Sequence, residues 1–248
     1  MLHFKIPSRL ARGLAIHHKW FAAKPVLADA LRFAQYFHCQ CTKPVLGFRR
    51  RPKFTILIDI ALPEEAILAA FSETTRYEVK RAMRENLLMA LETDIERFCS
   101  FHNAAADSKG QGHLDPTGLM LYWGDMYVTK VIAGTDTLAM HSYLFDAQVG
   151  TAALYHSASP FRVEPESAKR NFIGRANRWL HFQDMLFFKG LGAVTYDFGG
   201  YAKDTDNAEL RRINEFKGGF GGSVVEESNY VSNPIVWWNA LKGRPVTT

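Results

Sequence analysis

The apolar positions of this chain alternate between two periods, and the changes of period mark its elements. Phe54 to Ile60 (FTILIDI) is a β-branched run closed by Pro63, which predicts a buried strand. Pro63 to Phe71 and Thr75 to Ala90 take helical spacing, the second with Arg76, Lys80, Arg81 and Arg84 on one basic face. Asp94 is placed to cap a helix reaching about Ser108, with Ile95, Phe98, Phe101, His102 and Ala105 on one side. Pro116 fits the first turn of a helix ending near Tyr127. Period-two runs follow at Val131 to Gly134, Leu138 to Phe145 and Val149 to His156, with Asp146-Ala147 as a tight turn. A long helix is predicted from Ser167 to Lys189, ended by Gly190 and Gly192, and a strand from Val194 to Phe198, broken by Gly199-Gly200. Asp206 and Glu209 have the spacing of a capping box for a helix to Lys217, which the run Gly218 to Gly222 stops. A last strand starts at Ser223 to Val225, and Pro234 to Leu241 is a short terminal helix. Residues 1–50 give no sustained period beyond Leu27 to Phe37, where Leu27, Leu31, Ala34 and Phe37 predict a helix before the basic connector Arg49-Arg50-Arg51-Pro52.

Short hairpins make the middle strands antiparallel. The long helix between Val149–His156 and Val194–Phe198 is a crossover, which makes those two strands parallel. The fold class expected is therefore α/β (α+β), a mixed and mostly antiparallel sheet with helices on both faces. Composition sharpens this only at one point. The 248 residues are 47% hydrophobic and 22% charged, which excludes disordered and collagen-like chains. The net charge of +5 is unevenly placed: Met1 to Ile58 holds eleven Lys/Arg against the single acid Asp29, and the remainder is net acidic. A basic extension over residues 1–53 preceding one domain over 54–248 is the organisation expected. Three cysteines, Cys39, Cys41 and Cys99, are read as free thiols of a reducing compartment. No window of about 18 residues is free of charge, so no integral membrane segment is expected. Arg9, Arg12, His17, His18 and Lys19 interrupt any signal-peptide core, and the cytoplasm is the expected location.

Candidate chemistry concentrates in the long helix. Asn177, His181 and Asp184 stand at i, i+4 and i+7 and share one face, with Arg170, Arg175 and Arg178 nearby. This is either an anion or acyl-donor site near the helix N-terminus, or a solvated face laced with local ion pairs. His141 and Tyr143 alternate on one strand and His156 ends the next, so either histidine is a candidate general base. Lys217, the last helical residue before the glycines, favours the helix C-terminus or stabilises an oxyanion or phosphate. The glycine run lacks the order of a nucleotide-binding P-loop, since its lysine precedes the glycines. No metal-ligand spacing is found in the cysteines.

Ile173 to Tyr201 (IGRANRWLHFQDMLFFKGLGAVTYDFGGY) and Ile213 to Glu226 (INEFKGGFGGSVVE) resemble the Fem-like branch of the Gcn5-related N-acetyltransferase (GNAT) superfamily. Thr74 to Glu85, Phe101 to Gly110 and His156 to Arg162 are similar to its shorter bacterial relatives, so the likeness covers most of residues 54–226. YDFGG followed by FKGGFGG is its most specific part. The order of elements is also that of the GNAT fold.

The resemblance implies an acyltransferase moving an acyl group to an amine or hydroxyl, on a small molecule or a glycan precursor of the cell surface. Acyl-CoA is the donor implied first, as a co-substrate with no tightly bound cofactor. Aminoacyl-tRNA, used by the Fem-type peptidyltransferases, is second, and a non-catalytic binding module is a third possibility. Lys217 after Phe216 matches the lysine implicated in Fem-type enzymes, and it takes the catalytic role with His141 or His156. Arg170, Arg175 and Asn177 would hold the donor; Tyr143, Arg178, His181 and Asp197 would meet substrate. The basic N-terminus would meet tRNA or an anionic membrane surface. Two departures stand out: one half of the usual two-half Fem-type architecture, and Arg170 to Gly174 (RNFIG) without the second glycine of the GNAT pyrophosphate loop.

Overall fold

A computed structural model describes residues 1–7, 14–107 and 112–243. Arg9, Arg12 and the 108–110 end of the FHNAAADSKG stretch lie outside the described residues. The strands and helices are, in chain order, β1 (Leu2–Pro7), β2 (Ala15–Trp20), β3 (Ala34–Cys39), β4 (Phe48–Asp59), α1 (Glu64–Ala69), α2 (Glu73–Ala82), β5 (Leu88–Leu91), α3 (Ile95–Asp107), α4 (Pro116–Leu119), β6 (Met126–Ala133), β7 (Asp136–Asp146), β8 (Thr151–Ala158), α5 (Ser167–Gly190), β9 (Thr195–Gly200), α6 (Ala208–Gly218), β10 (Ser223–Ser232) and α7 (Asn233–Leu241). The residues fall into two compact units: Met1–Ile56 with Gly200–Asp206 and Val224–Thr248, and Leu57–Gly199 with Asn207–Ser223.

In the first unit the strands run in the order β1-β2-β3-β10-β4. β1 pairs antiparallel with β2, β2 parallel with β3, and β3 antiparallel with β10. Its core packs Tyr36, Phe48 and Tyr230 with Ala34 and Cys39. Asp29, the single acid of the basic segment, is buried against Lys19 Nζ at 2.6 Å and also accepts from the Tyr36 hydroxyl. Arg50 donates to Ser228 at 2.8 Å and pairs with Glu226. Part of the N-terminal charge is thereby committed to the fold.

Two expectations fail in this unit. The helix predicted over Leu27 to Phe37 is a short 3-10 turn, Leu27–Leu31, followed by β3. Ala34, Tyr36 and His38 are buried alternately, so the apolar spacing belongs to a strand, and pairing on both sides of β3 overrides the local helical pattern. The basic connector Arg49 to Pro52 is the first half of β4.

In the second unit the order is β9-β8-β7-β6-β5. β5 to β8 are successively antiparallel, and β8 pairs parallel with β9 across the α5 crossover, as the element order requires. Helices cover both faces. His141, Tyr143 and Phe145 of β7 point to α5, where they meet Asp184 and Phe188. Ser142 points the other way, to His156, which stacks edge-on against His102 of α3. The expected mixed, mostly antiparallel sheet with helices on both faces is what forms.

The helix predicted to Ala90 stops at Ala82, because Asn86 takes a left-handed φ of 50° and Leu88–Leu91 is drawn into the ladder with β6. The helix from Pro116 is one turn long, and Met126 already begins β6. Asn207, not Asp206, caps α6: its Oδ1 accepts from Glu209 N at 2.8 Å and Leu210 N at 3.2 Å. Among the described residues no helix is long and apolar enough to cross a membrane, and Cys39, Cys41 and Cys99 are free.

Candidate functional site in the second unit

β8 pairs with β9 from Thr151↔Thr195 to Ala153↔Asp197. Beyond that point β8 carries a bulge: Ser142 faces His156 and Tyr143 faces Leu154, so Tyr155 is the extra residue. Bulges re-aim side chains, and a cavity of about 540 Å³ opens beside this one. His156, Asn177, Arg178, His181, Phe198 and Lys217 are among its walls.

The two motif stretches meet here. Gly199, the first glycine of YDFGG, is at φ +75°, and a Cβ on it would lie 3.2 Å from Leu154 O and 3.9 Å from Lys217 Nζ. The glycine keeps the space beside the Lys217 ammonium open. Lys217 also lies 6.0 Å from the Phe198 ring. The glycines after it anchor the end of α6: Phe220 is fully buried against Phe71 at 5.1 Å and Phe198 at 5.0 Å. Gly221 takes φ +78°, and a Cβ there would sit 2.8 Å from Ala70 O. Arg178 brings a second cation, its guanidinium 5.1 Å from the Phe216 ring and its NH1 donating to Gly174 O at 3.1 Å. Arg178 Nε is buried without a hydrogen-bond partner among the described residues.

Below the cavity lies a connected set of buried polar groups. Asp184 Oδ2 accepts from the Tyr143 hydroxyl at 2.6 Å and lies 2.7 Å from His141 Nδ1. His141 Nε2 is 2.8 Å from the Asn177 side-chain amide. The Tyr143 and Tyr196 hydroxyls are 2.8 Å apart, and Tyr196 is 2.8 Å from His181 Nδ1. The His141 and His181 rings stack with centroids 3.9 Å apart. Burial, then the charge of Asp184, raises both tyrosines well above the usual phenol range. Burial, then His141, Lys217 and Arg178, lowers His181 well below the usual imidazole value. The α5 face that could have been a solvated surface is thus interior: His181 is 1% exposed and Asp184 0%.

The remaining predicted residues separate into those at the cavity and those away from it. His156 lines it; its Nδ1 is 2.9 Å from Ser142 Oγ, and burial followed by the charge of His102 lowers its pKa to about 3. His141 and Tyr143 are fully buried behind the wall. Arg170 donates to Glu164 O at 3.1 Å. Arg175 is spent on α2's side, its Nε and NH2 gripping the Glu85 carboxylate at 2.7–3.1 Å with Glu78 at 3.9 Å. Asp197 is buried and its Oδ1 accepts from Gly199 N at 2.8 Å, which fixes the turn beside Lys217. Tyr196 was not among the expected site residues, and Asp184 was given no role of its own. Asp184 was visible as a member of the α5 face, while Tyr196 carries only the period-two signal it shares with Phe198.

His141, His181 and Asp184 bring one ligand-type atom each within 4.8 Å of one another. The Nδ1 atoms of both histidines are already engaged, by Asp184 and by Tyr196, so hydrogen bonding accounts for this cluster.

No family model matches the chain, and no curated protein matches it in sequence. Solved structures do. FemX is similar with a TM-score of 0.57 at 14% identity, over 77% of this chain and 68% of FemX. The L-PGS structure from Bacillus licheniformis gives 0.51 at 10% identity, over 84% and 72%. The C-terminal domain of a putative lysylphosphatidylglycerol synthetase from Agrobacterium fabrum gives 0.50 at 14%, over 84% and 71%. The fold is like that of FemX and of these two structures.

Proposed function

We propose that this chain is an acyltransferase that moves an aminoacyl group from an aminoacyl-tRNA ester to an amine or hydroxyl acceptor. The observation that carries the proposal is the convergence of Lys217 and Arg178 on one cavity walled by the neutral imidazole of His181, at the point where β8 and β9 part. An acceptor lone pair attacks the ester carbonyl there, and negative charge develops on the carbonyl oxygen. Lys217, fixed at the end of α6, stabilises that oxyanion; a positioned donor of this kind is typically worth ~10²–10³ in turnover. Holding the two reactants together supplies a further ~7–11 kcal/mol of the barrier.

The two acids just before α5, Glu164 and Glu166, favour an aminoacyl ester over acyl-CoA. A CoA pyrophosphate placed at that N-terminus would meet Glu164 and Glu166. Glu164 Oε1 already accepts from Glu166 N at 3.1 Å, and Lys169 lies 3.4 Å from the Glu164 carboxylate. This pair of acids speaks against a pyrophosphate at that point. Two of the similar structures carry the name lysylphosphatidylglycerol synthetase or its abbreviation, and a lysyl group on a lipid is an aminoacyl product. The Lys/Arg-rich residues 1–53 then serve to meet tRNA phosphates.

Filter binding at low salt with a mixture of aminoacyl-tRNAs, beside a thermal-shift titration with acetyl-CoA, tests the donor. Retention of aminoacyl-tRNA that weakens steeply with salt is expected. A shift with acetyl-CoA and no retention of aminoacyl-tRNA would reverse the assignment. With a donor in hand, Lys217→Met should lower transfer ~10²–10³-fold with Lys217→Arg partly restoring it, and full turnover in Lys217→Met would remove the role given to Lys217.

A further inference from the structure

We propose that His181 is the proton acceptor of this site, presented to the cavity with its proton on Nδ1 by a buried relay through Tyr196 and Tyr143 to Asp184. The order of donors along the relay follows from counting protons. A hydroxyl has one proton to give. Tyr143 gives its proton to Asp184 Oδ2 at 2.6 Å. The 2.8 Å contact between the two hydroxyls must therefore use the Tyr196 proton, with Tyr143 oxygen accepting. Tyr196 oxygen is then left to accept from His181 Nδ1–H at 2.8 Å. This assigns the tautomer, and it leaves the Nε2 lone pair as the free basic atom of a ring that walls the cavity.

The arrangement holds because nothing in it can be replaced by water. Tyr143, Tyr196 and Asp184 are all 0% exposed. Asp184 Oδ1 has no hydrogen-bond partner among the described residues, so the whole relay and His141 hang on Oδ2. The alternatives are less well placed. Both ring nitrogens of His141 are engaged, by Asp184 and by Asn177. His156 has Ser142 on its Nδ1 and the aromatic rings of Phe98 and His102 around it.

What His181 deprotonates rests on the acyltransfer proposal. As the acceptor's lone pair forms the bond to the carbonyl carbon, its N–H or O–H proton passes to Nε2. The imidazolium is held by the relay to Asp184, and the same proton then goes to the departing ester oxygen, which restores the neutral ring. His181 touches the reacting proton; Tyr196, Tyr143 and Asp184 act through it and are positioning residues.

Long-range ¹⁵N–¹H correlation of the histidine rings in the full chain at neutral pH reads the tautomer without any substrate, the His181 ring being assigned through its own backbone resonances. The wild type should show His181 protonated at Nδ1, and Tyr196→Phe should move the proton wholly or partly to Nε2. An Nε2–H tautomer in the wild type overturns the relay whether or not any variant folds. In a transfer assay, His181→Asn should lower kcat by at least 100-fold. Tyr196→Phe should lower it about 10-fold or more, with KM unchanged. Retained turnover in His181→Asn, with turnover lost in His156→Asn, overturns the assignment of the base. Absence of any transfer by the wild type, alongside the expected tautomer, sinks the acyltransfer proposal and the proton assigned to Nε2, while leaving the relay established.

Discussion

Acid should unfold this protein through its buried histidines, and His156 makes the size of the effect calculable. Its pKa in the fold is about 3 against an ordinary 6.5, because burial, and then the neighbouring His102, disfavours the charged ring. A lowered native pKa means that the unfolded chain takes up a proton the native chain refuses. The stability that the neutral ring contributes is therefore complete above about pH 6.5 and drains away as pH falls toward the native value. Each pH unit well inside that window costs about 1.4 kcal/mol per histidine held neutral, so the step from pH 6.5 to 4.5 costs roughly 2 kcal/mol for His156 alone. His181, lowered for the same reason, adds a loss of the same sign. For a domain at the low end of the usual ~5–15 kcal/mol range, the loss at His156 is already a large part of the total. Carboxylates, whose ordinary values are about 3.9–4.3, contribute mainly below pH 4.5. Urea unfolding at pH 7, 6, 5.5, 5 and 4.5 measures the slope. His156→Gln keeps a polar group beside Ser142 and removes the titration, so its slope should be shallower by one proton, about 1.4 kcal/mol per pH unit. A stability difference between variant and wild type that stays constant from pH 7 to 4.5 would refute the claim that His156 is held neutral by the fold.

Breaking the grip of Arg175 on Glu85 should cost about 2–3 kcal/mol, somewhat less than a fully buried pair because Glu85 keeps 21% of its side-chain exposure. Urea unfolding of Arg175→Met measures it, and the double variant with Glu85→Met should recover most of the loss, since an uncompensated charge is the main penalty. Gly221→Ala should cost about 2–3 kcal/mol, because it forces an L side chain both into positive φ and into Ala70 O at 2.8 Å. Gly134→Ala, at φ +59° with nothing within 4 Å, is the control and should cost only about 1 kcal/mol in the same assay. Equal losses at the two positions would mean that the close approach at Ala70 contributes nothing.

The second unit was largely legible because its signals are local. Pro63, the helix from Asp94, the hairpin at Asp146-Ala147 and the long helix before Gly192 each carry a stop or start that needs no partner to be read. The first unit was not. β1, β2 and β3 are six residues each, and β2 (AIHHKW) is only partly buried along most of its length. Such a strand shows no alternation, because neither face is committed to a core. Its existence depends on β1 and β3 at its sides, and β3 depends in turn on β10, nearly two hundred residues later. The same dependence on a partner explains the lost half of the predicted second helix: Leu88–Leu91 is apolar enough for either structure, and β6 decides it.

At the site, spacing placed Asn177, His181 and Asp184 on one face, and alternation placed His141 and Tyr143 on one side of a strand. Neither observation says that the two faces meet. Had the α5 face looked outward, the same five residues would have been an ordinary wet surface. Their meeting changes the energetics of each: a buried polar group without a partner costs ~1–3 kcal/mol, and an interior of leucine and valine would avoid that cost at every position. Tyr143 and Tyr196 satisfy one another and link Asp184 to His181, so the hydroxyls that made them unremarkable strand aromatics in the sequence are what join the carboxylate to the cavity. Placing five such groups in the interior, with one Asp184 oxygen still unpartnered, gives up stability that simple packing would have supplied. What that stability is exchanged for lies at the one ring of the stacked pair that walls the cavity: a histidine held neutral, in one tautomer, beside two cations.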